Sequence, residues 1–291
     1  MEEEKVVSTQ DSLTPSATVH ELSDSVMTGK ADFSKTKMFT LAIAAGAFIA
    51  FGAQVSLTVM TGDSMMGWGF TKLIGAMTFA TGLMIVALTG AELFTGNVMM
   101  TFAVLEKKVS LLKLLRSWTI VYIANFIGSI LVAGLIFGAG MGHNGGDAVG
   151  VTAMQTAFSK INLTFGEAFF RGILCNWLVC LAIFMASTSK RVIGKIFAIF
   201  FPIMTFVASG YEHSVANMFF IPNGLLMKHF PSIVAASGMT PDQLATMTWK
   251  GFFLHNLLPV TCGNIVGAFV FVVLLFWTAY LREEHRHHHN H

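Results

Sequence analysis

The sequence predicts an all-α integral membrane protein, and three observations carry that prediction. Hydrophobic residues make up 54% of the 291 positions and charged residues only 12%, against about a quarter charged in ordinary soluble domains. The apolar residues gather into runs near the length that crosses lipid, about 20 residues. Two of those runs are interrupted, at corresponding places, by an acid with polar neighbours. The 27 glycines suit close helix packing in lipid.

Residues 1–37 are polar and hold no hydrophobic signal-peptide core. Thr14-Pro15 reads as an N-cap followed by proline at the first helical position, and Gly29 as the stop. Val19, Leu22 and Val26 share one side. The expectation is a short amphipathic helix, at the membrane surface or against a pore mouth, with a loosely ordered polar tail as the plain alternative.

The membrane domain is expected over 38–281, with crossings at roughly 38–60, 70–105, 115–140, 166–188, 194–228 and 251–280. A glycine-rich loop, Gly140 to Gly150, and a polar stretch with Lys160 follow the third. Pro231 and Pro241 mark the loop before the sixth. The tail 282–291 is solvated, its histidines a polar tail or part of an engineered tag. Cys175, Cys180 and Cys262 lie in apolar runs without a CxxC pair, which points to packing and not to metal or disulfide roles. No cofactor or metal is expected, and nothing resembles a nucleic-acid surface.

The second and fifth crossings are the broken ones. In the fifth, apolar residues run to Ser209, then Gly210, Glu212 and His213 intervene before the run resumes. Irregular backbone at membrane depth survives only where protein buries it or it lines a water-filled path. A titratable residue there is a functional-site candidate, and a buried histidine bracing a kink is the plainer reading. Gly90-Ala-Glu92-Leu-Phe-Thr-Gly-Asn97 matches Gly210-Tyr-Glu212-His-Ser-Val-Ala-Asn217 in the spacing G-x-E-x-x-x-x-N. The third and sixth crossings share N-x-x-G, Asn125 with Gly128 and Asn264 with Gly267. Three crossings separate the halves, so equivalent elements run oppositely. The expected fold is six transmembrane helices in two inverted three-helix repeats, a pattern that points to permeation at the repeat interface.

Lysine and arginine set the orientation. Lys5, Lys30, Lys35, Lys37, Lys107, Lys108, Lys113, Arg116, Lys190, Arg191, Lys195, Arg282 and Arg286 fall on the side of the termini. That is thirteen of the 18 basic residues, so the termini are expected to be cytoplasmic.

At the breaks, half-helix N-termini offer amides that attract anions. Glu92 and Glu212 are expected to accept bonds from those amides and pin the loops, with Asn97 and Asn217 bracing beside them; a proton relay through the acids is the alternative. His213 titrates near neutrality and both donates and accepts. Thr95 adds a hydroxyl in the matching break. Phe79, Leu83, Leu93, Phe94 and Phe206 supply apolar collars, or simply core.

Ala87-Leu-Thr-Gly-Ala-Glu-Leu-Phe-Thr-Gly96, Gly172-Ile-Leu-Cys-Asn-Trp-Leu-Val-Cys-Leu-Ala182 and Ser209-Gly-Tyr-Glu-His-Ser-Val-Ala-Asn-Met218 resemble, in order, signatures of the formate/nitrite transporter family. The resemblance spans about residues 12 to 282. It implies a homopentamer with one pore in each aquaporin-like protomer. It makes His213 the central pore histidine, Thr95 its neighbour, Lys160 the vestibule lysine and Asn176 a pore polar group. Phe79, Leu83, Leu93, Phe94, Val179 and Phe206 match constriction positions. The substrate class it implies is small monovalent anions or their neutral acids: formate first, with nitrite and hydrosulfide as alternatives. A bacterial-type cell membrane is the expected location.

A bare carboxylate entering a dry apolar collar faces a desolvation cost on the order of tens of kcal/mol. Protonating an acid of pKa about 4 at pH 7 costs roughly 4 kcal/mol. Protonation is the cheaper route, with Lys160 attracting the anion and His213 supplying or relaying the proton; a wetted anion channel in which His213 senses pH is the alternative. A neutral-solute channel would show paired Asn-Pro-Ala motifs, and a membrane enzyme a catalytic set. Neither is present.

Overall fold

A computed structural model describes residues 11–62, 65 and 67–282. Expectations about the first ten residues and the histidine-rich tail after Arg282 lie outside the described residues. Five helices are long and apolar enough to cross a membrane: α2 (Lys35–Val59), α3 (Trp68–Thr89), α5 (Leu111–Gly138), α7 (Phe165–Thr188) and α12 (Gly251–Arg282). Three shorter apolar helices complete the bundle, α4 (Phe94–Leu105), α8 (Val192–Ala208) and α9 (Ser214–Met227). Outside it lie α1 (residues 15–31), α6 (Ala148–Ile161) and two short helices, α10 (Pro231–Ser237) and α11 (Pro241–Thr246).

The α1 helix starts as the sequence predicts, with the Thr14 hydroxyl accepting from the Ala17 amide and Pro15 in the first turn. It does not stop at Gly29. The helix runs on to Ala31, because Met27 and Ala31 are buried on its inner side and packing outweighs the roughly 1 kcal/mol that an internal glycine costs. Val19 and Leu22 are buried too, whereas Val26, expected on the same side, is exposed, so the apolar face of α1 lies on protein except at Val26. Ion pairs Lys108–Asp24 and Lys113–Asp32 hold it to the start of α5 and the turn before it.

Both breaks follow one plan. The first half-helix ends in a left-handed glycine, Gly90 at φ 72° and Gly210 at φ 77°, a conformation that glycine adopts without Cβ strain. The next amide folds back, Ala91 to the Val86 carbonyl and Tyr211 to the Phe206 carbonyl, each at 3.1 Å. The acid's amide then donates sideways to a neighbouring helix, Glu92 to Leu41 of α2 and Glu212 to Arg171 of α7, each at 3.2 Å. α4 starts after Leu93 and α9 after His213.

The N-x-x-G pairs explain how close the neighbouring helices come. A Cβ on Gly128 of α5 would lie 2.0 Å from the Ile43 carbonyl oxygen of α2, and one on Gly267 of α12 would lie 2.3 Å from that of Ile173 on α7. Only glycine permits backbones that near. α2 packs on α5 and α3, and α7 packs on α12 and α8 in the same way. α8 also lies along α3, and α9 along α5 and α6.

Candidate functional site

Asn125 and Asn264 build the breaks. Asn125 accepts the Phe94 amide on Oδ1 at 2.9 Å and donates from Nδ2 to the carbonyls of Ala42 and Glu92 at 2.7 and 2.9 Å. Asn264 accepts the Ser214 amide at 2.9 Å and donates to the carbonyls of Gly172 and Glu212 at 2.8 and 3.0 Å. Each amide side chain, fully buried, thus satisfies three backbone groups that a broken helix leaves orphaned.

This changes the part expected of the acids. The first freed amides go to Asn125 and Asn264, and the carboxylates take side-chain donors instead. Glu92 accepts from Asn97 at 2.7 Å and pairs with Lys30 at 2.8 Å. Glu212 accepts from Asn217 at 2.6 Å and pairs with Lys160 at 2.8 Å. Both acids are buried, where a carboxylate is tolerable only when paired and hydrogen-bonded. A neutral asparagine suits the amide, and the acid suits the lysine.

Sequence reasoning did not single out Lys30, yet a signal was there. Lys30 stands four residues before Ser34 and Lys160 four before Thr164, the residues whose hydroxyls cap α2 and α7. The two lysines differ in one respect. Lys30 also donates to Asn97 Oδ1 at 3.0 Å. Asn217 Oδ1 is without a partner among the described residues. The Asn217 amide nitrogen donates to Asn256 Oδ1 at 2.8 Å, and Asn256 itself donates to the Lys160 carbonyl at 2.9 Å.

His213 and Thr95 meet between the breaks. His213 Nε2 lies 2.9 Å from Thr95 Oγ1, and His213 Nδ1 accepts the Ala216 amide at 2.9 Å. An acceptor Nδ1 puts the proton of the neutral ring on Nε2. Nε2–H therefore donates to Thr95, whose own hydroxyl hydrogen is left for another acceptor. A second proton at Nδ1 would displace the Ala216 amide. The Phe206 ring stacks on the imidazole with centroids 6.0 Å apart, and Phe79 meets Phe206 edge-on at 5.7 Å.

Two cavities open at opposite ends of α2; His213 lines the first, and Leu93 and Gly96, close to Thr95 in the chain, line the second, while Thr95 itself lines neither. One, of about 460 Å³, is lined by Lys160, Glu212, His213, Phe79 and Phe206, and by Ser56 and Met60 at the end of α2. The other, of about 320 Å³, is lined by Lys30, Glu92, Leu83, Leu93 and Val26, and by Phe33 just before α2. We call them the α6 cavity and the α1 cavity. Asn176, Val179 and Phe94 lie in neither lining. Asn176 donates to the carbonyls of Thr95 at 3.1 Å and Asn264 at 2.7 Å, which makes it a clamp on the Thr95 loop. Phe94 packs edge-on against Tyr122 and Trp118 at 4.9 and 5.9 Å. Val179 is buried.

The sequence profile of the formate/nitrite transporter family matches residues 17–278. The chain belongs to the formate/nitrite transporter family. A probable formate transporter of Methanothermobacter thermautotrophicus is 40% identical, covering 85% of this chain and 90% of the relative. The formate channel FocA of Escherichia coli K12 is 38% identical, covering 89% and 91%. Among solved structures, a pentameric formate channel with formate bound superposes with a TM-score of 0.77 at 38% identity, over 85% of this chain and 98% of that one. An FNT family ion channel gives 0.76 at 29% identity, over 90% and 98%. Membership makes this a multi-pass membrane transporter and sets the enzyme reading aside.

Proposed function

We propose that this chain is one protomer of a homopentameric channel that carries small monovalent weak acids, formate foremost, with a proton joining the anion near His213. The single observation behind this is a buried imidazole–hydroxyl pair with one cavity reaching its imidazole and a second reaching Leu93 and Gly96 on either side of Phe94 and Thr95. In this reading α3 with α4 and α8 with α9 are two broken crossings, and six crossings form two inverted three-helix repeats in an aquaporin-like protomer. Residues 1–37 precede the channel domain 38–281, and 282–291 follow it. Both termini face the cytoplasm, so the α6 cavity is the outer vestibule and the α1 cavity the inner one.

Each residue then has a part. Lys160 and Lys30 offer positive charge at the two vestibules, while Glu212 and Glu92 hold them in place. Phe79 and Phe206 collar the outer approach, and Leu83 and Leu93 the inner one. Phe94, Val179 and Asn176 position the centre from behind. Inside the collars the anion sheds water, and a proton lowers the cost of passage from tens of kcal/mol toward roughly 4 kcal/mol. The capped state of His213 offers a hydrogen bond from the Nε2–Thr95 pair. Delivering a proton requires the ring to be recharged at Nδ1, with release of the Ala216 amide. Formate is favoured over nitrite and hydrosulfide because the relatives named above are formate transporters and channels.

The test is flux through purified protein in liposomes, comparing formate, nitrite and hydrosulfide with the solute recovered unchanged. Fastest uptake of formate, rising with an imposed inward proton gradient, is the expected result. Chemical conversion of the solute, or no flux of any of the three, would end this reading.

A further inference from the structure

The proposed passage uses Lys160, but the α6 cavity has two more cations. Lys72, near the start of α3, and Arg171, in the second turn of α7, both line it and are half-buried. Among the described residues neither side chain enters an ion pair or a direct hydrogen bond, and the Lys72 ammonium lies 5.9 Å from the Trp68 ring centroid. The Arg171 carbonyl accepts the Glu212 amide, which fixes the root of its side chain beside the break. Among the described residues the only carboxylate in the lining is Glu212, already paired with Lys160. The wall therefore carries an excess of two positive charges. The α1 cavity has Lys30 and Lys195 against Glu92, an excess of one.

We propose that Lys72 and Arg171 form an anion-gathering site in the α6 cavity, which concentrates small monovalent anions in front of Lys160 and His213. Three features support it. Neither cation is in an ion pair among the described residues, and their nearest opposing charges, Glu167 one turn before Arg171 and Glu212 across from Lys72, act on them only at longer range, so a visiting anion can still meet them directly. The cavity is walled by low-dielectric protein, which focuses field lines and raises local anion concentration. The Thr156 hydroxyl shares the lining and supplies a donor to an anion that still keeps part of its water. Dehydration begins further in, at Phe79 and Phe206. The two cations therefore govern entry, not passage.

This inference rests on the anion-transport reading, and its test separates the two. Formate influx is measured in proteoliposomes at fixed pH for wild type, K72Q, R171Q and the double variant, with K72R and R171K retaining charge. At low ionic strength each neutral variant raises the half-saturating formate concentration about threefold to tenfold, with maximal flux unchanged. At about 1 M of an impermeant salt, where screening reaches ~3 Å, the variants converge on wild type. The charge-retaining variants stay near wild type throughout. Unchanged half-saturation at low ionic strength, with wild type active, overturns the gathering site alone. Equal losses of maximal flux in neutral and charge-retaining variants also overturn it, because they make the residues structural. A wild type that carries no formate sinks the transport reading and this inference with it.

Discussion

Nε2 of His213 lies 2.9 Å from the Thr95 hydroxyl while Nδ1 of the same ring caps the Ala216 amide. One side chain is thus both the N-cap of α9 and the titratable group at the centre. These duties separate by substitution. Asparagine is a good N-cap and does not titrate. His213→Asn is expected to assemble like wild type and to lose proton-driven formate uptake. His213→Ala removes the cap as well and costs a further ~1 kcal/mol of stability. Uptake under a pH gradient, alongside thermal unfolding in detergent, checks both. Full proton-driven uptake in H213N removes His213 from the proton route.

Asn125 and Asn264 each satisfy three buried backbone groups. Truncation leaves those groups unpaired, at about 1–3 kcal/mol apiece. Asn125→Ala and Asn264→Ala are expected to be among the most destabilising changes in the chain, and similar in size. Asn→Asp keeps the acceptor for the amide and loses both donors, and is expected to fall between. Unfolding temperatures that barely move would show that water replaces these bonds.

The Lys30–Glu92 pair invites a double-mutant cycle. The Glu92 side chain is 2% exposed and the Lys30 side chain 21%. Removing one partner of a buried pair strands the other charge, at about 3–5 kcal/mol, whereas replacing both often costs far less. Lys30→Met and Glu92→Gln are each expected to destabilise strongly, and the double variant to regain most of the loss. Additive losses in thermal unfolding would mean that solvent already compensates each charge.

The legible parts of this molecule were those written as local pattern. Apolar runs marked the long helices to within a few residues. The Thr14-Pro15 start of α1 was equally visible, because a capping hydroxyl and a first-turn proline act within one turn. The repeated G-x-E-x-x-x-x-N spacing located both breaks, since left-handed glycines and the acid's asparagine partner are local features. What escaped was set by distance along the chain. Gly29 read as a stop until buried Met27 and Ala31 supplied tertiary packing to carry the helix further. The lysine partners of Glu92 and Glu212 lie 62 and 52 residues away, so no spacing near the break revealed them. Asn176 carried a pathway label by resemblance, but its amide faces two backbone carbonyls, an orientation that type and position alone do not specify.

The seat of α1 gives a pH prediction. The hydrogen bond and charge of Lys113, 2.6 Å away, hold the Asp32 carboxyl below its usual range. At Asp24 burial pushes upward, but the hydrogen bond and charge of Lys108 outweigh it and the net shift is also downward. A carboxyl depressed in the folded state adds stability that is complete above its unfolded value and lost as pH falls through the folded one. The docking of α1 is therefore expected to stay constant from about pH 7 to pH 5 and to loosen below about pH 4. Spin labels at Ser25 and Leu112, both exposed, report the distance across this contact. Their distribution should broaden only at the acid end, and K108Q/K113Q should show the broad form already at neutral pH. Broadening centred between pH 5 and 7 would instead show that Asp24 and Asp32 do not set the contact.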